Sequence, residues 1–408
     1  MQEKYFWVIG GGLLQVPLIE EVKKFNLKVI VSDYSDQCAC KNLGDIFVHI
    51  DIFDINGHIK EAKKIIAQGK EIVGILAAGI DAPETMAALA KKLGLPAVDP
   101  KIAHLVHNKH KFRKKLKQLG YPCPRFATIS KKDSHRLEDI VNSIGFPLII
   151  KNTDSSGSRG TKIFYQKNMV DMKKILNEAI RVSKTGKALI EECWEGLEQT
   201  VETIFDINGK FYPCFITDRI FDRSSGYAME LGLRNPSNLP EKTQREMFAM
   251  AKKVAGDLGI NIGAAKFDTI LTKDGPRIIE MTVRLSGGFD CQYLVPTATG
   301  KNVMRAAILT ALGKKFPASL LKNIKHRVGI TESIWPKPGK IIKIKGVEEA
   351  KKIAGVEHIF FRYQEGETID PYIDCTKRVC FIMITGKNEQ EARKIMEKVK
   401  QTIQIITK

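Results

Sequence analysis

The first hundred residues alternate between short apolar runs and stretches whose hydrophobic positions have helical spacing. Apolar runs cover residues 5–10, 28–32 and 72–78, and a helical pattern covers residues 83–93. Strands that alternate with helices predict a parallel sheet with helices on its faces. We therefore expect an α/β domain that ends near Pro100.

The pattern changes after a basic helical stretch, where prolines at 122 and 124 predict an extended connection. Residues 125–190 read as strand, helix, strand, loop, strand and helix, and more strands follow up to residue 290. Beyond residue 317, short strands and a last helix at about 388–403 predict a small α+β cap. With 408 residues, two or three domains packed around a shared cleft are expected.

A net charge of +19 changes this picture little. Clustered Lys and Arg would indicate a nucleic-acid partner, but the lysines are dispersed along helices, as at 63–64 and 173–174. No apolar stretch approaches the roughly 20 residues that span a bilayer, and no export signal begins the chain. Eight scattered cysteines suit reduced thiols. We expect a cytoplasmic protein with no nucleic-acid and no membrane partner.

Two features suggest ligand sites of other kinds. The turn of residues 10–12, with Asp33 downstream, resembles half of a dinucleotide fingerprint, but Gln15 replaces its last glycine. Close packing or a substrate cleft is preferred over a nicotinamide site. Histidines at 104, 107 and 110 have helical spacing, yet their neighbours are mostly lysines, so surface histidines are preferred over a metal site.

A glycine and serine loop, residues 152–160, directly follows an apolar strand that ends in Lys151. Backbone N–H groups in such a loop can approach anionic oxygens closely, and Lys151 adds a positive charge. The loop therefore suits phosphate, although an ordinary surface turn stays open. The acidic and aromatic linker at residues 191–198 could hold a nucleoside, with a solvated acidic turn as its alternative.

The most informative segment is a predicted hairpin, with strands at 266–271 and 277–281. Its alternation places Asp268 and Glu280 on neighbouring antiparallel strands. Two adjacent carboxylates repel unless a cation neutralises them, and their hard oxygens suit Mg²⁺. Thr282 and Arg284 project to the same face, where an arginine can bind a carboxylate or a phosphoryl group.

These features occur in one order, and in that order the chain resembles the ATP-grasp ligases. That family includes biotin carboxylase, D-Ala-D-Ala ligase, carbamoyl-phosphate synthase and bacterial L-amino acid ligases. The likeness covers nearly the whole chain. It implies an ATP-grasp fold of the α/β and α+β classes, with a Rossmann-like domain over residues 1–105, a two-lobed grasp over 106–318 and a cap over 319–408.

The resemblance assigns roles to the matching positions. It implies that the nucleotide is bound by Lys109, Lys151, Ser155, Ser156, Gly157, Ser158, Gly160, Glu191, Glu192, Trp194 and Glu198. It implies that the metal is bound by Asp268, Glu280 and Thr282. It implies that the substrates contact Glu230, Arg284, Gly287 and Gly288, and that Lys151 and Arg284 are the catalytic groups.

The reaction that the resemblance implies uses ATP and Mg²⁺, with Mn²⁺ as an alternative ion. A carboxylate is activated as an acyl phosphate and is then attacked by an amine, which gives an amide or peptide bond, ADP and phosphate. The expected partners are small-molecule carboxylate and amine substrates, with an amino acid or small carboxylate as the acid. A homodimer stays open.

Two positions depart from the family pattern. Thr282 stands where most members have asparagine, and Asp268 stands where many have glutamate. A threonine hydroxyl is a weaker metal ligand than the amide carbonyl of asparagine. A catalytically silent ATP-binding protein is therefore one alternative. A carboxylase or purine-pathway enzyme that activates bicarbonate or formate is another, although Glu230 and the predicted cap favour amino acids.

Overall fold

A parallel sheet forms the N-terminal part of the protein. The computed structural model describes residues 2–155 and 157–408, apart from the side chain at position 376. The elements of this part are β1 (Lys4–Ile9), α1 (Val16–Lys23), β2 (Lys28–Asp33), β3 (Ile46–His49), α2 (Ile55–Ala67), β4 (Glu71–Leu76) and α3 (Pro83–Lys92). The strands pair in the order β3-β2-β1-β4, all parallel. Residues 6–9 of β1 are successively buried, so both faces of the sheet are covered.

Two helices lead into a four-stranded antiparallel sheet with the order β5-β8-β6-β7. The elements are α4 (Pro100–His107), α5 (Lys109–Gln118), β5 (Phe126–Ser130), α6 (Leu137–Ile144), β6 (Leu148–Asn152), β7 (Lys162–Phe164), α7 (Met169–Val182) and β8 (Lys187–Glu192). Helices α6 and α7 pack on the sheet through an apolar core that contains Val141 and Leu176.

The largest sheet has eight antiparallel strands in the order β13-β12-β9-β10-β11-β14-β18-β16. The elements of its first half are β9 (Leu197–Phe205), β10 (Phe211–Asp222), β11 (Met229–Asn235), α8 (Glu241–Asp257), β12 (Gly263–Thr272), β13 (Gly275–Thr282), α9 (Val295–Thr299) and α10 (Val303–Ala311). Helix α8 packs on β9, β10, β12 and β13.

Three of the C-terminal strands, β14, β18 and β16, continue this sheet. The remaining elements are β14 (Val328–Glu332), β15 (Gly339–Lys345), α11 (Val347–Lys351), β16 (Val356–Phe361), β17 (Thr368–Ile369), β18 (Cys380–Gly386), α12 (Glu389–Thr402) and β19 (Gln404–Thr407). Only β17, β15 and β19 form a separate small sheet. Within the described residues, no helix has the length and hydropathy that a membrane crossing requires.

Most elements lie where the hydrophobic pattern predicts them. Strands β2 and β4 and helices α3 and α12 match their predicted ranges to within about two residues. The pattern missed β3 and α2. Strand β3 is an edge strand of only four residues, of which Val48 is buried, and edge strands are often very short.

The turn of residues 10–12 packs closely against the segment that follows β2. The N–H of Gly11 donates to Asp33 Oδ2 at 2.7 Å, and the N–H of Ser35 donates to Asp33 Oδ1 at 2.9 Å. A Cβ on Gly11 would lie 2.4 Å from Cys38 Sγ, so only glycine fits. The carboxylate that would hold a ribose is thus engaged within the protein, which favours the packing role of these glycines.

The carboxyl end of β4 meets the segment after β13 at two glycines. The N–H of Gly79 donates to the carbonyl of Leu285 at 3.1 Å. Gly79 has φ +65°, and a Cβ there would lie 2.9 Å from Gly287 Cα. This contact brings the parallel sheet against the end of the long sheet.

Gly79→Ala is expected to lower the free energy of unfolding by about 2–5 kcal/mol, the sum of backbone strain of about 1–2 and overpacking of about 1–3. Gly94→Ala is the matched control, because Gly94 has φ +68° with nothing within 4 Å of the added Cβ. Urea unfolding of both variants measures the difference. Equal losses would show that the close approach to Gly287 contributes nothing.

Candidate active site

A cavity of about 320 Å³ opens between the two antiparallel sheets. It brings together most positions that the sequence singles out. Those that line it are Lys109, Lys151, Ser155, Gly157, Ser158, Glu198, Glu230, Asp268, Glu280, Thr282, Arg284, Gly287 and Gly288. Gly160, Glu191, Glu192 and Trp194 do not line it, and Ser156 falls outside the described residues.

The predicted hairpin is present, and its register places the two carboxylates as expected. Asp268 on β12 lies directly opposite Glu280 on β13, and Lys266 lies opposite Thr282. A bulge between Asp268 and Thr269 sets this register, because the two-residue turn alone would place Asp268 opposite Ile279. The two acidic side chains therefore share one face of the sheet.

Cationic side chains of the protein itself flank both carboxylates. Lys266 Nζ lies 2.5 Å and Arg219 Nη1 lies 3.1 Å from Asp268 Oδ1. Burial acts against the charge of Asp268, but these cations lower its pKa to about 2. The repulsion argument from the sequence thus overlooked neutralisation by the chain, although the acids stay ionised and ready to bind a cation.

Two lysines converge on Glu280 from other elements. Lys109 Nζ lies 3.8 Å from Glu280 Oε2, and Lys151 Nζ lies 3.5 Å from Oε1. Burial opposes the charge of Glu280 and these lysines favour it, so its pKa is lowered overall. A phosphate that approached Glu280 would meet both positive charges.

Lys151 is held from behind by a buried ion pair. Glu191 Oε1 lies 2.6 Å from Lys151 Nζ, and Arg113 binds both Glu191 oxygens at 2.9 and 3.3 Å. Burial disfavours the charge, but Arg113 and Lys151 lower the pKa of Glu191 to about 2. The side chain of Glu191 therefore positions Lys151 beneath the cavity and does not line it.

Arg219 joins three carboxylates on the opposite wall. Its guanidinium lies 3.3 Å from Glu198 Oε2, 2.8 Å from Glu230 Oε2 and 3.1 Å from Asp268 Oδ1. Arg378, from the C-terminal part, adds a contact of 3.1 Å to Glu230 Oε1. Burial disfavours the charge of Glu230, but the two arginines lower its pKa.

The glycine and serine loop lies across the cavity mouth. Lys109 Nζ donates to the carbonyl of Ser155 at 2.7 Å, and Arg159 Nη2 lies 3.4 Å from Asp81 Oδ2. The N–H of Cys375 donates to the carbonyl of Gly157 at 3.1 Å. The loop therefore contacts both the N-terminal and the C-terminal parts of the protein.

Thr282 and Arg284 have polar atoms that the protein leaves unpaired. Thr282 Oγ1 and Arg284 Nε are buried without a hydrogen-bond partner among the described residues. Arg284 Nη1 donates to the carbonyl of Leu285 at 2.8 Å, which aims the guanidinium. Buried polar atoms without partners are costly and rare, so both residues fit a site that a ligand completes.

Glu192 and Cys193 of the acidic linker are hydrogen-bonded to other parts of the protein. The N–H groups of Glu192 and Cys193 donate to the carbonyls of Arg125 and Pro147, both at 2.9 Å. The Glu192 side chain pairs with exposed Arg125 at 3.4 Å. Its side chain is therefore engaged outside the cavity.

The three histidines do not share one helix. Helix α4 ends before Asn108, and α5 begins after it. The Asn108 side chain accepts a hydrogen bond from the N–H of Lys111 at 2.9 Å. His104 is exposed and bonds Glu84 at 2.8 Å, whereas His107 lines the cavity. The surface interpretation is therefore right for His104 and wrong for His107. Among the described residues, no cluster of three or more His, Cys, Asp or Glu is arranged to hold a metal ion.

Several cavity residues escaped the sequence analysis. They are Asp81, His107, Arg219, Lys266, Asp290 and Cys375. Lys266 and Asp290 flank the recognised hairpin and glycine pair, and alternation from Asp268 could have identified Lys266. Arg219 and Arg378 carry no local signal, because their roles depend on partners far away in the chain.

Comparisons with known proteins agree with this geometry. The family model described as "Carbamoyl-phosphate synthase L chain, ATP binding domain" matches residues 108–319, and "L-amino acid ligase C-terminal domain 2" matches residues 334–408. The L-arginine-specific L-amino acid ligase of Bacillus subtilis is 24% identical over 301 residues, which cover 72% of this chain and 70% of that protein.

Two solved structures share the fold. The L-amino acid ligase from Bacillus licheniformis aligns with a TM-score of 0.86 at 22% identity, with 100% of both chains covered. The biotin carboxylase domain of 2-oxoglutarate carboxylase from Hydrogenobacter thermophilus, in complex with MgADP and bicarbonate, gives 0.74 at 17% identity. The alignment covers 100% of this chain and 91% of that one.

The fold and the cavity therefore define an ATP-grasp protein, as the sequence predicted. Because the family model for the ATP-binding domain matches more than half of this chain, the chain belongs to the ATP-grasp carboxylate-amine ligases. Members of this family are ATP-dependent enzymes that use ATP and Mg²⁺. The domain limits and the roles of individual residues stay predictions.

Proposed function

We propose that this protein joins the carboxylate of an amino acid, or of another small acid, to an amine through an acyl phosphate. The observation that carries the proposal is the convergence of Lys109 and Lys151 on Glu280, which itself lies opposite Asp268. Lysines beside paired carboxylates suit a triphosphate with its divalent ion. The match to an L-amino acid ligase C-terminal domain favours amino acids over bicarbonate or formate.

The oxygen donors in the cavity fit Mg²⁺. Asp268 and Glu280 would hold the ion, and the Thr282 hydroxyl, which has no hydrogen-bond partner among the described residues, is a further hard donor that lines the cavity. A bound Mg²⁺ would neutralise phosphate charge. Lys109, Lys151 and Arg284 would bind the transferring phosphoryl group and the substrate carboxylate. The loop of residues 155–160 would exclude water from the activated acid.

Adenosine binding is assigned to the linker after β8 and to Glu198. The N–H groups of Glu192 and Cys193 are already engaged, so the adenine edge would meet the backbone from Trp194 onward. Burial raises the pKa of Glu198, and Arg219 and Arg223 oppose that effect. Its carboxyl lines the cavity and would accept from ribose hydroxyls.

A product assay tests this function. The protein is incubated with ATP, Mg²⁺ and amino acids or small carboxylates, singly and in pairs, and ADP, AMP and phosphate are quantified. ADP and phosphate that accumulate only when an acid and an amine are both present would support the ligase. AMP as the product would contradict it, and tight ATP binding without turnover on any pair would select a catalytically silent nucleotide-binding protein.

A further inference from the structure

Among the described residues, one carboxylate in the cavity has no Lys or Arg nitrogen within 4.0 Å. Glu198, Glu230, Asp268 and Glu280 each lie within 4.0 Å of a Lys or Arg. Asp290 is 1% exposed, lines the cavity and has no ion-pair partner in the part of the chain that the structure describes. Its position differs from that of every acid that the proposed nucleotide and metal sites use.

One oxygen of the Asp290 carboxylate has a hydrogen-bond partner, and the other has none among the described residues. Thr217 Oγ1 donates to Oδ1 at 2.9 Å, whereas Oδ2 is buried with no hydrogen-bond partner among the described residues. The hydroxyl of Ser286, which also lines the cavity, is buried and unpaired in the same way. Such unpaired acceptors are costly, so a ligand that brings N–H donors would complete this end of the cavity.

A strained turn presents Asp290. The preceding residue, Phe289, has φ +63° and ψ +18°, which is uncommon for a bulky residue. Its ring is 1% exposed and packs against Phe360 and Phe381, with ring centroids 4.8 and 5.0 Å apart. A π-helical turn, Asp290–Leu294, follows. Aromatic packing therefore holds the residue that precedes Asp290, and the hydrogen bond from Thr217 holds the Asp290 side chain.

The cavity lining offers two kinds of group to a ligand. Lys109, Lys151 and Arg284 only donate, so they match the oxygens of phosphates and carboxylates. Asp290 and Ser286 offer acceptor oxygens, which match an amine. We propose that Asp290 and Ser286 form the subsite for the amine substrate, and that the Asp290 carboxylate takes a proton from its nitrogen. This inference rests on the proposed ligase function.

The chemistry balances without a further reactant. A substrate ammonium ion gives one proton to Asp290, and the nitrogen lone pair that is freed attacks the acyl-phosphate carbonyl carbon. The C–N bond forms, the bond from carbon to the phosphate oxygen breaks, and phosphate leaves with the second nitrogen proton. Asp290 returns its proton to solvent when the amide departs. A general base of this kind contributes roughly 10²- to 10⁴-fold in rate.

The surroundings of Asp290 suit a base that works near neutral pH. The charged and titratable groups that face it are Glu202, Arg219, Glu230, Lys266 and Cys291. Burial raises the pKa of Asp290 to about 7, while the Thr217 hydroxyl and Lys266 act in the opposite direction. The ionised base is therefore lost as the pH falls below about 7.

Asp290→Asn tests the subsite against an amine that needs no base. Wild type and variant receive ATP, Mg²⁺ and a mixture of the twenty standard L-amino acids. Dipeptides are measured by mass spectrometry, and hydroxamates are measured after hydroxylamine is added, because hydroxylamine is already uncharged at neutral pH. The variant is expected to lose dipeptide formation about 100-fold or more and to keep hydroxamate formation within about threefold. The wild-type dipeptide rate should rise through pH 7, and that rise should be absent from the variant.

The controls separate this inference from the function on which it rests. Asp274→Asn, at the exposed hairpin turn, should change neither product, and Asp290→Ser replaces the first variant if it fails to fold. Unchanged dipeptide formation in the folded variant would overturn the amine subsite alone, as would equal loss of both products. Wild-type protein that makes neither product would overturn the proposed function and the subsite together.

Discussion

Glu280→Gln is expected to lower ATP turnover by roughly 100-fold or more, since it removes one of two carboxylates proposed to hold the divalent ion. The change keeps the size of the side chain, and Glu280 is a third exposed, so the fold should survive. Lys109 and Lys151 would lose their shared counter-charge. Binding of ATP without Mg²⁺ should therefore persist or strengthen while turnover collapses.

Coupled ADP release and calorimetric titration with a non-hydrolysable ATP analogue, with and without Mg²⁺, measure the two effects. Asp268→Asn should behave alike, because Asp268 lies opposite Glu280 in the hairpin. Asp274→Asn lies in the exposed turn of the same hairpin and is expected to keep wild-type turnover. Full turnover in the Glu280 or Asp268 variant would exclude the proposed metal site.

Arg113→Met is expected to reduce the free energy of unfolding by about 3–5 kcal/mol, the usual cost of breaking a buried ion pair from one side. The side chains of Arg113 and Glu191 are 2% and 4% exposed. Without Arg113, the carboxylate of Glu191 keeps only Lys151 as its partner. Urea unfolding at pH 7 measures the loss.

Arg125→Met is the matched control, because Arg125 pairs with Glu192, the neighbour of Glu191, at the surface. A surface pair contributes less than about 1 kcal/mol. Similar losses of unfolding free energy in the two variants would show that the buried pair stabilises the protein no more than the surface pair does. The double variant Arg113→Met with Glu191→Gln should recover part of the stability, since no buried charge is then left unpaired.

The loss of stability in Arg113→Met is expected to depend on pH. The pKa of Glu191 is lowered from 4.5 to about 2 in the folded protein. Its ion pair therefore stabilises the wild type above pH 4.5, and that stability is lost as the pH falls towards 2. The difference between wild type and Arg113→Met should narrow across this window. A constant difference from pH 7 to pH 3 would contradict the proposed charge state.

Much of the site was predictable because its signals are local. Side-chain alternation and a short turn predict the hairpin that carries Asp268 and Glu280, whereas the bulge between Asp268 and Thr269 places the two carboxylates opposite each other. The loop after Lys151 follows from its glycines and serines. The family resemblance then joined these segments into one cavity, and the comparisons confirm the family and the fold.

The rest depended on contacts that sequence spacing does not reveal. The resemblance places Glu191 in the nucleotide-binding stretch, and only the structure shows that its carboxylate binds Arg113, 78 residues away. Arg219 and Arg378 reach Glu230 from β10 and from the C-terminal part. Strands β14, β18 and β16 of the C-terminal part extend the long sheet. Each outcome was decided by which strands pair over long separations.

The sequence alone therefore determined the periodic elements, the position of the hairpin and the kinds of chemical group that this protein carries. Alternation, turn residues and glycines act over a few residues, so they can be read directly. Only the tertiary structure decided which charges neutralise one another and which remain unpaired, as at Asp290. Burial and ion pairing depend on atoms brought together from distant positions, and the field around each group changes its chemistry.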